Sequence, residues 1–346
     1  MKRTVIFLIA LLLLLPSVLE AQKVATSSFQ FLKVMPTARG TAMGDAYVTL
    51  ASGAEALFWN PSGLALATNH QFSTTATLWL FDTYQGAFAY ALPLGEIGTF
   101  GLQLQYVHYG EIKETRADQL QFVGPAGNQV YNPGLTGSTF SPYAYVVGLT
   151  YARQLTSGFS AGLTAKFVNE SLYGASSFSV VNPATGETES YKTYANVLLF
   201  DFGIRYRTDY RSIEIGASVQ NFGSQVKFAK EEYPAPLAFR LGVAADLMGR
   251  DALFMYDETN RFTVAYDLFQ PNDYEQQMHV GVEYAFAGIV ALRAGYKINY
   301  DNDGLTLGAG VNTDLAGFNL GFDYSYGTMG DYLGKVHRIS LGVKFK

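Results

Sequence analysis

Cysteine is absent from all 346 residues, which excludes a disulfide framework and any thiolate metal site. Charge is also scarce. Asp, Glu, Lys and Arg make up 15% of the chain, where about 25% is usual for a soluble domain. So little charge does not cover a water-exposed surface of this size, but it suits a surface that meets lipid. There is no basic excess: 24 Lys and Arg against 29 Asp and Glu leave a net charge of −5, without the basic face that nucleic acid calls for. No run of 18 consecutive apolar residues occurs, so no segment reads as a spanning helix. Catalytic patterns are missing too. The four histidines, His70, His108, His279 and His337, are not paired at metal-ligand spacing, and no G-x-S-x-G elbow is present. "GTMGDYLGK", Gly327 to Lys335, falls short of a phosphate loop because Met329 stands where the first Gly is needed. The reading is a non-enzyme that needs no cofactor or metal.

What the chain does have is alternation. Phe318, Leu320, Phe322, Tyr324 and Tyr326 interleave with Asn319, Gly321, Asp323 and Ser325, and Val290, Leu292, Ala294, Tyr296 and Ile298 interleave with Ala291, Arg293, Gly295, Lys297 and Asn299. One face is apolar and aromatic, while the other carries Gly and full charges. The first fits lipid and the second a wet lumen. Strands are expected near 70–81, 83–92, 97–109, 141–154, 158–173, 191–207, 211–222, 235–249, 259–269, 274–286, 288–300, 303–314, 316–327 and 334–346. These total fourteen, an even number, as single-chain outer-membrane barrels have, and most are long enough to cross a bilayer when tilted. If the first strand runs outward, the short connections "PLGEIG", "LTSG", "RTDYRS", "FAG" and "DLAG" all fall on the inner side. The long connections 110–140, 174–190, 223–234 and 328–333 then fall outside. The fold class is therefore an all-β transmembrane antiparallel barrel of about 14 strands.

Two segments precede it. Lys2 and Arg3 followed by the apolar run Val5 to Leu15, broken at Pro16, read as an export signal over 1–21 with a cut after Ala21. The run is too short to span about 30 Å of hydrocarbon as a helix. The chain is thus expected in a bacterial outer membrane, in contact with its lipid. Residues 22–69 do not alternate. A fourteen-stranded lumen is too wide for its own side chains to fill, so this segment reads as an internal helical plug ahead of a barrel over 70–346. Within it Ser52 and Glu55 have the spacing of a capping box, and Pro61 restricts Asn60 to extended geometry and stops the helix.

Candidate plug residues are Arg39, Gly44, Trp59, Asn60, Pro61 and Gly63, with Asn60 and Gly63 expected at the turn that seats the plug. Candidate lumen charges are Asp201, Arg205, Glu214, Arg240, Glu283, Arg293, Lys297 and Asp323. Their mixed signs argue against a strongly ion-selective pore, and pairing with one another and with the plug is the expectation. Phe345 is the aromatic expected to act as a C-terminal assembly signal, displaced one place by Lys346.

"ARGTAMGDAYVTLASGAEALFWNPSGLA" (38–65), "SVQNFGSQVKF" (218–228), "GVEYAFAGIVALRAGY" (281–296) and "HRISLGVKF" (337–345) resemble, in order, the segments of the PorV/PorQ family, a branch of the FadL-like outer-membrane barrels. The resemblance implies a 14-stranded barrel with an N-terminal hatch. It also implies an accessory role in type IX protein secretion or in attaching exported proteins to the cell surface, with exported cargo or other secretion components as partners. A FadL-type passive channel for hydrophobic small molecules is the alternative, and a purely structural barrel is a third reading.

Overall fold

The structure, a computed structural model, describes residues 26–174, 177–181, 185–228 and 231–345. The expected export signal lies outside the described residues. Fourteen strands form one closed sheet: β1 (Gln71–Leu78), β2 (Tyr84–Pro93), β3 (Thr99–His108), β4 (Tyr143–Gln154), β5 (Phe159–Ser171), β6 (Tyr194–Arg207) and β7 (Glu214–Gly223), then β8 (Ala238–Gly249), β9 (Asn260–Pro271), β10 (Gln277–Phe286), β11 (Val290–Ile298), β12 (Asp303–Leu315), β13 (Phe318–Met329) and β14 (Lys335–Phe345). Each pairs antiparallel with its chain neighbour, and β1 pairs with β14 from Gln71↔Lys344 to Leu78↔His337. Closure leaves no barrel strand with an open edge, the condition for crossing a bilayer with strands. No described helix is long and apolar enough to cross one.

The alternation becomes the wall. Leu292 and Tyr296 of β11, Phe322 of β13 and Ile339 and Leu341 of β14 are exposed outward, while Arg293, Ser325, Arg338 and Ser340 are buried inward. One ladder is interrupted: between β6 and β7 the register shifts around Asp201. Its carboxylate accepts from the Asn221 backbone N–H at 2.7 Å, replacing a lost ladder bond, and Asn221 takes positive φ.

The outer connections hold more structure than expected. Ile112–Val123 pairs with Val130–Phe140, Ser177–Val181 with Thr188–Lys192 and Val226–Phe228 with Glu231–Tyr233, so three of the expected loops hold paired strands. The Gly, Pro, Asn and Thr content of the first reads as loop because its described residues are mostly exposed, and the alternation is accordingly weak. The over-long inner connection after β8 folds back on that strand through a short parallel pairing, Met248↔Met255 and Gly249↔Tyr256.

Ahead of β1 the chain is compact and helical. Gln30–Lys33 is a 3-10 turn, followed by α1 (Ala38–Ala42), a 3-10 turn at Gly53–Glu55, α2 (Ala56–Trp59) and a 3-10 helix at Pro61–Leu66. The expected capping box does not form. Ser52 makes no side-chain cap bond, and Glu55 accepts instead from the Tyr47 hydroxyl at 3.1 Å. The first turn is 3-10, which leaves the box without the regular α-geometry it requires. Asn60 is extended (φ −151°, ψ 105°), as the following Pro61 requires, and ends α2. Its side chain then starts the next helix, accepting from the Ser62 N–H at 3.2 Å and hydroxyl at 2.7 Å.

Candidate functional site

The N-terminal segment runs down the inside of the barrel. At the outer mouth the Ser28 N–H donates to Pro234 O at 3.0 Å, and Asp273, in the outer connection after β9, receives hydrogen bonds from Ser27, Gln30 and Lys33. Burial works against the charge on Asp273, but these three donors prevail and hold its carboxyl below the usual range. Just beneath, Phe29 and Phe31 fill an apolar cluster with Val107, Val146, Val168 and Leu199 of the wall. The segment then coils across mid-barrel and reaches the inner rim, where the His70 backbone carbonyl accepts from the Phe345 N–H at 2.9 Å.

At mid-height the plug lies so close to the wall that five wall glycines leave no room for a Cβ, and at Gly295, Gly281 and Gly162 the contact is with plug backbone. A Cβ on Gly295 would collide with the Met43–Gly44 backbone, one on Gly281 with Met43, one on Gly308 with Ala42, one on Gly162 with Pro61 and Ser62, and one on Gly203 with Asn60 and Pro61. These inward glycines thus make room for plug rather than for water, whereas Gly321 and Gly342 line open space nearer the inner end. Their spacing within charged faces, as in "RAGYK", is the signal that could have been read this way. Gly44 itself has φ +65° and lies against Tyr296 N, a conformation and an approach that only glycine allows without strain.

The candidate plug residues assemble as follows. Trp59 is fully buried, donates from Nε1 to the Thr37 hydroxyl at 2.8 Å, and meets Tyr47 edge to face. The Asn60 amide donates to Val48 O at 2.9 Å within the plug and to Ile204 O at 3.1 Å on the wall. Pro61 and Gly63 are buried, and a Cβ on Gly63 would collide with Ala51 O. Arg39 forms a two-point pair with Glu283 of β10, both contacts 2.9 Å. Phe345 packs against Phe72 and Phe318 at the inner rim.

The lumen charges fall into two groups. Near the inner end, Glu283 also receives Arg293 at 2.6 Å and Arg261 at 3.3 Å, Arg293 reaches Asp323 at 2.6 Å, and Arg205 pairs with Glu214 and donates to Ala51 O of the plug at 3.2 Å. Further out, Lys297 joins Asp45 of the plug at 2.8 Å and Asp303 at 3.2 Å, while Lys166 of β5 pairs with Asp201 of the neighbouring β6 at 2.8 Å. Arg240 lies over the Phe269 ring at 4.0 Å. Burial opposes ionisation of Asp45, but Lys297 beside it lowers its pKa; burial and then Asp323 raise that of Glu55. Asp267 and Asp273 lie in a strand and near a turn with no motif around them, and Asp45, inside the 38–65 stretch, carries no separate signal of its pairing with Lys297.

Below the plug opens a cavity of about 560 Å³, lined among others by Arg39, Glu55, Arg205, Arg261, Glu283 and Asp323. Its charges are balanced and largely paired. Among the described residues no group of three or more His, Asp or Glu is placed to hold a metal ion.

These features define the protein as an outer-membrane β-barrel with an internal N-terminal segment. Similar folds are found in the toluene transporter TodX of Pseudomonas putida (14% identity, 87% of this chain and 96% of that one covered, TM-score 0.52) and in the CymD monoaromatic hydrocarbon channel (10% identity, 90% and 98% covered, TM-score 0.54). No curated protein matches the sequence. The model of the family described as type IX secretion system protein PorV matches residues 17–270, and the chain belongs to that family.

Proposed function

We propose that this protein is an accessory barrel of type IX protein secretion that receives or anchors exported proteins at the outer face of the membrane. Beyond the family match, one observation carries the reading: the lumen is occupied at mid-height by plug backbone standing directly on wall glycines. A barrel so filled offers its outer surface rather than a bore. That surface includes the hairpin 112–140, whose Leu120, Phe122, Val130 and Tyr131 are all more than half exposed, in keeping with a binding loop held on a rigid scaffold. On this reading residues 1–21 are a cleaved export signal, 22–69 the plug and 70–346 the barrel. The protein performs no catalysis, needs no cofactor, and works in the outer membrane with exported proteins or other secretion components as partners.

A second reading, passive uptake of hydrophobic small molecules, draws on the apolar cluster around Phe29 and Phe31 beneath the outer mouth. Quantitative proteomics of medium and cell surface in a deletion strain separates the two. Loss of normally exported proteins from both fractions, with the outer membrane intact, is the expected result. An unchanged exported proteome, with a growth defect on hydrophobic substrates, would transfer the case to uptake.

A further inference from the structure

Half of the buried side-chain polar atoms left without a partner among the described residues, six of twelve, belong to five residues where the plug meets β7–β10. They are Asp45 Oδ1, Thr49 Oγ1, Arg240 Nε and Nη1, Asp267 Oδ1 and His279 Nδ1, on residues at most 5% exposed. Strand register brings the wall members together. Gly242 stands opposite Asp267, Asp267 opposite His279 and His279 opposite Lys297, forming one row across four strands, and Arg240 faces Phe269 in the next row out. The plug completes the group. Tyr47 and Val48 donate their N–H groups to Asp267 Oδ2 at 2.8 Å, leaving Oδ1 free, and Asp45 uses Oδ2 on Lys297 at 2.8 Å, again leaving Oδ1 free. Gly242 lets Asp267 Oδ1 and the Val48 side chain lie directly against its backbone, since a Cβ there would collide with both.

Leaving a buried donor or acceptor unpaired is destabilising, so a concentration of them at one seam calls for a ligand. The partners needed are mixed. Arg240 offers N–H donors, Asp45 and Asp267 offer acceptors, and Thr49 and His279 can serve as either. An anion on Arg240 would face the two carboxylates, and a cation between the carboxylates would face Arg240 and Lys297. A small neutral molecule that both donates and accepts meets every requirement. Water needs only about 10–15 Å³ and 2–4 polar partners.

We infer that this seam is a built hydration site, in which buried waters bridge Arg240, Asp267 and His279 of the wall to Asp45 and Thr49 of the plug. The plug is then held on this side by water as well as by its contacts on glycine, and the site belongs to the seating of the plug whatever the protein does at the cell surface.

Two measurements test this. The first is a crystal structure of the full detergent-solubilised barrel, resolved well enough to show ordered water, with a second crystal soaked in bromide. Ordered water at about 2.7–3.2 Å from Arg240 Nε and Asp267 Oδ1 is expected. A bromide anomalous peak on Arg240, or a direct Arg240–Asp267 contact with no solvent between them, would overturn the inference. The second is Thr49→Val in the same full chain, followed by its heat-induced unfolding. If the hydroxyl is bridged by water, its loss lowers the unfolding midpoint. An unchanged or raised midpoint identifies a dry, unpaired hydroxyl and rejects the site.

Discussion

Asp273 shows how a single carboxylate fixes the end of a long segment. Its folded pKa lies below the unfolded value of about 3.9. The stability it contributes is therefore fully present above that value and is lost as the pH falls through the lower, folded one. Glu55 has the opposite sign: its raised pKa favours folding while it is protonated, and that contribution is lost as the pH rises through the folded value. Acid that takes the pH below the folded pKa of Asp273, itself under about 3.9, should therefore free the outer end of the N-terminal segment. Because the chain has no native cysteine, a spin label on Ser28→Cys reports this cleanly. It should be immobile at neutral pH and mobile in acid, and Asp273→Asn should make it mobile at both. A label equally immobile throughout would show that Asp273 holds nothing. At this scale the sequence was least informative. Trp59, Asn60 and Pro61 form a readable motif, but Asp273 is one acid among many until its connection is folded over Lys33.

At the scale of elements, the plug and the wall strands specify each other. The strands were legible from period-two alternation, and the plug from its lack of it. What remained hidden was the meaning of the inward glycines, which fitted a wet lumen equally well when each strand was read alone. Only the fold brings Gly295 against Gly44 and Gly203 against Asn60. The first outer hairpin was hidden for a related reason, since strands whose residues are mostly exposed leave little periodic trace. The plug's seating makes a prediction that side-chain pairing alone would not. Gly295→Ala should lower the unfolding midpoint of the purified barrel, at the cost of about 1–3 kcal/mol usual for overpacking. Gly86→Ala, with open space around its Cβ and no positive φ, should leave it unchanged. Equal behaviour of the two variants would mean that the plug yields easily at that point.

At the scale of the molecule, the barrel is a scaffold closed on itself by β1 and β14, with its charged residues turned inward and largely paired. Composition alone pointed to lipid, and the strand count to a bore too wide for side chains to fill. How completely the N-terminal segment fills it depends on backbone contacts that no motif encodes. The cavity of about 560 Å³ below the plug is open space on one side of that obstruction. The most direct test of a filled barrel is electrical: conductance across a planar bilayer of the intact protein, beside a variant lacking residues 26–66. The intact protein should show no steady current and the variant large, long-lived openings. A stable ohmic conductance through the intact protein would contradict the account.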